Sequence, residues 1–117
     1  MENNLFSLSK LNEVSKGNDV FVRKMLTIFC EQTPQLYLEM ESALTEADFG
    51  KVAKVAHQLK PSIHGLEIIS LKQVIADLEN AENYAPQTDI IHDKLAEFNA
   101  VTTAIIETIQ TKYLSEP

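Results

Sequence analysis

Apolar residues recur at intervals of three and four along nearly the whole chain, and no alternating strand pattern of useful length occurs. The pattern predicts helices, and the polar punctuation sets their limits. Ser7 can cap a short first helix that reaches about Lys16 and ends at Gly17-Asn18. Asp19 can cap a second helix carrying Phe21, Val22, Met25, Leu26, Ile28, Phe29 and Cys30, with Phe21, Met25 and Phe29 on one face and expected in the core. Thr33-Pro34 reads as a cap with proline at the first helical position, opening a segment whose Leu36, Tyr37 and Met40 are also read as core. A proline can equally kink one continuous helix, so the pattern leaves both arrangements open.

Asp48 is expected to cap the next helix, whose stripe is Val52, Val55, Ala56, Leu59 and Ile63. Ile69, Leu71, Val74, Ile75 and Leu78 mark a further amphipathic helix that fails near Asn83-Tyr84-Ala85-Pro86. The last helix is predicted from about Thr88 to Tyr113, with Ile91, Leu95, Phe98, Val101, Ile105 and Ile109 on one side. At about 26 residues it would be roughly 39 Å long, and it needs partners of comparable length. The expected architecture is all-α: an antiparallel four-helix bundle with a short additional N-terminal helix. No internal repeat, low-complexity tract or long linker divides residues 1–117, which read as a single domain.

Composition narrows the function. An apolar fraction of 44% in 117 residues suits one real core. The net charge of −7 weighs against nucleic acid or an anionic membrane as the main partner. No apolar run reaches the roughly eighteen residues that a membrane span requires. The start, Met1-Glu2-Asn3-Asn4, lacks the basic character of a secretory signal. One cysteine, Cys30, precludes an internal disulfide and reads as a small core hydrophobe. A cytoplasmic protein is expected, and Met1 together with the frayed-looking Ser115-Glu116-Pro117 favours a free-standing one.

The most informative stretch is Ala56-His57-Gln58-Leu59-Lys60-Pro61-Ser62. His57 falls at the edge of its helix's apolar stripe, with Lys54, Lys60, Pro61 and His64 at helical neighbour spacings. An exposed imidazole ringed by cations is poorly placed for a metal ion and well placed to take up an anion such as a phosphoryl group. A metal-binding bundle would need carboxylates and histidines converging from several helices. The chain has three histidines, and Asp89-Ile90-Ile91-His92 is its sole acid-x-x-histidine sequence.

The runs Leu8-Ser9-Lys10-Leu11, Gly17-Asn18-Asp19-Val20-Phe21, Phe29-Cys30-Glu31-Gln32-Thr33-Pro34 and Ala56-His57-Gln58-Leu59-Lys60 resemble a histidine-containing phosphotransfer (HPt) domain. The likeness extends from about Leu5 to Asn83, its most specific part is the A-H-x-L-K core, and the final helix fits in length. The resemblance implies a phosphorelay intermediate in two-component signalling, exchanging phosphoryl groups with receiver domains of hybrid histidine kinases and response regulators. It implies that His57 is the phosphoacceptor, that Lys60 lies near the phosphoryl oxygens, and that Ser62 is small so that a receiver can approach. Lys54 and His64 would assist docking or electrostatics. No cofactor of its own is implied, since Mg²⁺ would sit on the receiver, and the protein would act as a monomer.

The sequence departs from the family pattern where Pro61 and Glu67 replace common glycines. Pro61 is expected to kink or loosen the helix just past His57, and Glu67 makes the following turn unusual. An alternative reading is an HPt-like helical module that binds a signalling partner without carrying phosphate. A full kinase or a receiver is excluded by the lack of a nucleotide-binding segment or a parallel sheet.

Overall fold

The computed structural model describes residues 5–114. Among them the regular elements are helical: α1 (Ser9–Ser15), α2 (Asp19–Thr45), α3 (Phe49–Gly65), α4 (Lys72–Glu79) and α5 (Thr88–Ile109). Short 3-10 turns at Ile69–Leu71 and Ala81–Tyr84 flank α4, and a π-helical turn, Gln110–Leu114, extends α5. Helices α2 to α5 follow one another around the bundle, and α2 closes it against α5. The body is elongated, 47 × 24 × 24 Å. The antiparallel four-helix bundle with its short N-terminal helix is thus the observed fold.

The proline question resolves in favour of one helix. α2 runs for 27 residues straight through Pro34, and Thr33 is a buried interior residue instead of a cap. Pro34 points to solvent, so the cost is one missing backbone donor while the packing of Phe29, Met40 and Leu44 continues on either side. Two other caps fall on neighbouring residues. The Asn18 side chain, and not Asp19, accepts the Phe21 N–H at 3.1 Å. Ser7 accepts the Ser9 N–H at 3.1 Å across a local turn, and α1 itself starts at Ser9 without a side-chain cap. Asp48 caps α3 as expected, accepting from Lys51 N–H at 3.0 Å.

The core draws on every long helix, with Leu26, Met40, Leu59, Ile63, Ile75 and Phe98 fully or almost fully buried. Phe21 and Met25 do not belong to it: they are 37% and 38% exposed, and of the predicted trio Phe29 alone is interior. Helical drift is the cause, because a three-to-four spacing sustained over three turns keeps residues near one face without fixing which of them meets the neighbouring helix. Ile69 lies on the exposed side of its 3-10 turn for a similar reason.

One device ends α1, α2 and α3. The N–H groups of Gly17, Asp48 and Ile68 bond to carbonyls five residues back, on Asn12, Ala43 and Ile63. Those of Lys16, Ala47 and Glu67 bond three residues back. This is the Schellman arrangement, which needs a left-handed residue and usually has glycine there. Here that residue is Lys16, Ala47 or Glu67, with φ of 57°, 57° and 51°. At the third of these ends the Glu67 carboxylate accepts the Lys10 N–H, and Ser7 N–H bonds to the Leu66 carbonyl, tying α1 to the end of α3.

Helix α4 is only eight residues long and depends on its neighbours for stability. Val74, Ile75 and Leu78 bury its inner face. Lys94 of α5 reaches Asp77 at 2.9 Å and lies 5.9 Å from the centre of the Tyr84 ring. The hydrogen bond from Lys94 is the main reason that the Asp77 carboxyl is held below its usual range, against the opposing effect of desolvation.

Ala47→Gly removes the left-handed strain at the α2 end. It should raise stability by about 0.5–1 kcal/mol net of the glycine's greater unfolded-state entropy, read as a melting temperature increased by roughly 2–4 °C. Asp77 titrates lower in the folded than in the unfolded chain. Its stabilisation is therefore present above the unfolded value, near pH 4, and is lost as pH falls through the folded value. Asp77→Asn should lower stability at pH 7 by about 1 kcal/mol and flatten the acid side of the stability profile; an unchanged profile in urea titrations from pH 3 to 7 would count against this ion pair.

Candidate functional site

The amphipathic pattern of α3 sets the geometry. Val52, Val55, Ala56, Leu59 and Ile63 are buried, which turns His57, Lys60 and Pro61 outward. The His57 side chain is 78% exposed. Its ring is nevertheless fixed: Nδ1 lies 2.6 Å from Glu79 Oε2, at the end of α4. The other Glu79 oxygen, Oε1, is 3.3 Å from Lys60 Nζ. One carboxylate therefore anchors both of the residues singled out by the sequence.

Glu79 is the member of this cluster that the sequence reading missed. It is 22 positions from His57. No local pattern distinguishes it from the other acids, because its relevance depends on the register of α4 against α3. One anomaly is visible in hindsight: a carboxylate in the last turn of a helix opposes the helix dipole. The His57 and Lys60 contacts supply the compensating interactions. Its side chain is only 17% exposed, and its carboxyl is held below the usual range, chiefly by the His57 hydrogen bond and further by Lys60, while desolvation acts in the opposite direction.

An ionised carboxylate can only accept, so the short contact makes Nδ1–H the donor and places the ring in the tautomer whose Nε2 carries the lone pair. Nε2 has no hydrogen-bond partner among the described residues. The arrangement is a nucleophilic nitrogen facing outward, with a carboxylate behind the ring to stabilise positive charge that develops on attack.

The other predicted site residues are less concentrated. The helix continues through Pro61 to Gly65, so the proline does not end it one turn past His57, although residue 61 offers no N–H to the His57 carbonyl. Pro61 and Ser62 border a cleft of about 170 Å³ with Leu11, Met25, Phe29 and Gly65, which accounts for the partial exposure of Met25. The His64 carbonyl accepts from Lys10 Nζ at 3.4 Å, giving that residue a part in the α1–α3 junction. Lys54 is exposed and makes no ion pair with Glu79. Asp89 and His92 lie far along the fold, on a shallow groove between α2 and α5, and no group of three or more potential metal ligands is assembled among the described residues. No described helix is long and apolar enough to cross a membrane.

If Glu79 fixes the tautomer, Glu79→Leu should abolish the bias. ¹⁵N-detected spectra of the wild type should show a protonated Nδ1 and an unprotonated Nε2 on neutral His57, whereas the variant should show tautomer averaging. The same pattern in both proteins would contradict the anchoring role.

Comparison with known proteins assigns the chain to a family. The family model for the Hpt domain matches residues 24–111, from early α2 through the end of α5 and including His57, Lys60 and Glu79. No curated protein and no solved structure matches the chain significantly. With three quarters of its length matched to that one family, on a helical bundle that presents an anchored histidine, the chain belongs to the Hpt domain family and has a phosphotransfer-related role in two-component signalling.

Proposed function

We propose that the protein is a phosphorelay intermediate: His57 accepts a phosphoryl group from the aspartyl phosphate of one receiver domain and passes it to the aspartate of another. The observation that carries this reading is the anchored, outward-facing imidazole with Lys60 beside it. In the forward step Nε2 attacks phosphorus, the N–P bond forms, the acyl P–O bond breaks, and the receiver carboxylate leaves. The ring keeps its Nδ1 proton and becomes cationic, and the Glu79 carboxylate stabilises that charge. The product retains a high-energy bond, so the reverse sequence phosphorylates a second receiver.

Phosphoryl transfer passes through a loose transition state whose charge spreads over the peripheral oxygens, and catalysis rests on positioning and charge stabilisation. Lys60 supplies a cation at the site. Its ammonium is shared with Glu79 in the resting protein, and moving toward the incoming phosphoryl oxygens would exchange one anionic partner for another. Mg²⁺ would be carried by the receiver. The open face formed by Pro61, Ser62 and the rim of the small cleft gives a partner room to approach. The reading includes a monomeric cytoplasmic protein and not a stand-alone kinase.

The test is mass spectrometry after incubation with phosphorylated receiver domains. Wild type should gain one acid-labile phosphoryl group, and His57→Gln none, with unchanged helical content by circular dichroism. Lys60→Ala should accept the group about 10- to 100-fold more slowly. Labelling of His57→Gln would refute the assignment; binding of receivers without any labelling of the wild type would favour the non-phosphorylated interaction module.

A further inference from the structure

Helix α3 is charged unlike the rest of the molecule. The chain carries a net charge of −7, yet the 17 residues of α3 include Lys51, Lys54 and Lys60 and not one aspartate or glutamate. The site absorbs Lys60 through Glu79, and Lys94 is similarly matched to Asp77. Lys51 and Lys54 are exposed and have no ion pair among the described residues. Two cations without an ion pair thus stand on the reactive helix of an acidic protein, with the Asp48 and Glu82 carboxylates nearby at the Gly50 end of that helix.

Helical geometry gives their placement. At about 100° per residue, Lys60 lies roughly 60° around α3 from His57 on the α4 side, where Glu79 holds it. Lys54 lies roughly 60° around on the opposite side, the side that also carries Pro61 and Gly65 at the cleft. Lys51 is one turn earlier, roughly 9 Å along the axis from His57. Gln32, Gln35 and Gln58 line the neighbouring depression between α2 and α3 and add no opposing charge. A partner of ordinary interface size, covering about 800 Å², would be wide enough to span His57 and both lysines at once.

We propose that Lys51 and Lys54 form an electrostatic docking rail for the carboxylate-rich reactive edge of the receiver domain that exchanges phosphoryl groups with His57. This rests on the relay reading for the identity of the partner. A receiver presents its reactive aspartate among other acids at the ends of its strands, and a protein of net charge −7 would repel such an edge. A cationic rail beside the nucleophile reverses that repulsion locally and orients the approach. Its contribution lies in association, because neither lysine reaches the His57–Glu79 pair. Rim charges of this kind govern the association rate and its salt dependence more than the chemical step.

The experiment compares wild type, Lys51→Glu/Lys54→Glu and the milder Lys51→Gln/Lys54→Gln against a panel of acidic receiver domains. Three quantities are read: receiver affinity at two salt concentrations, the saturating transfer rate, and labelling of His57 by phosphoramidate without a partner. Charge reversal should weaken receiver binding about tenfold or more at low salt, the glutamine variant less, and both should flatten the salt dependence. The saturating rate and phosphoramidate labelling should remain within about twofold. Unchanged affinity and salt dependence in both variants would overturn the rail while leaving the relay intact. A loss confined to the saturating rate would also overturn it, by placing the lysines in the chemistry. Weakened binding with no labelling of the wild type by any donor would uphold the rail and refute the relay. Binding by no receiver would refute both.

Discussion

The site depends on one carboxylate. Glu79 takes the imidazole of His57 on one oxygen and the ammonium of Lys60 on the other. Without it, an exposed histidine would turn freely about its side-chain torsions and present either ring nitrogen. With it, the outward-facing ring nitrogen and the neighbouring cation share a frame of reference. Because α3 contributes two members of this group and α4 the third, the bundle itself is the scaffold of the candidate site. The packing of α3 on α4, whose core residues include Leu59, Ile63, Ile75 and Leu78, is therefore also what holds the site in register.

The four-helix plan was legible because each helix is amphipathic, and burial follows its apolar stripe closely on α3, α4 and α5. The outward placement of His57 beside Lys60 was legible too, from helical spacing within a family-like stretch. What could not be read was which acid would meet them. Glu79 follows Leu78 as a polar residue at the margin of a stripe, and choosing it requires the rotation and axial offset of α4, which no spacing within α4 encodes. Phe21 and Met25 failed for a related reason: near the start of α2 the same periodicity serves the core and the exposed surface, where Met25 lines a cleft.

The prolines show where local rules leave a choice that packing decides. Thr33-Pro34 has the form of a helix start, and the structure overrides it because Thr33 and Met40 are needed inside while the proline ring can stand outside. Pro61 gives the same lesson beside the site. A proline on the solvent side removes one backbone bond, and buried Leu59 and Ile63 carry the helix past the gap. Glu67, at a position where glycine would be easiest, adopts the left-handed conformation and receives a contact from α1 in return.

The shortness of α4 has a further consequence. Its eight residues are bounded by 3-10 turns on both sides, whereas α3 is a long helix packed against α2 and α4 alike. Opening of the α4 segment would detach Glu79 while leaving His57 on an intact helix. On the proposed relay reading, the share of molecules ready to react is then governed by a sub-global opening equilibrium, and not by the stability of the whole fold. Amide exchange protection along Lys72–Glu79 then becomes a direct readout of how often the His57–Glu79 contact is intact, in a protein whose melting temperature would reveal nothing of it.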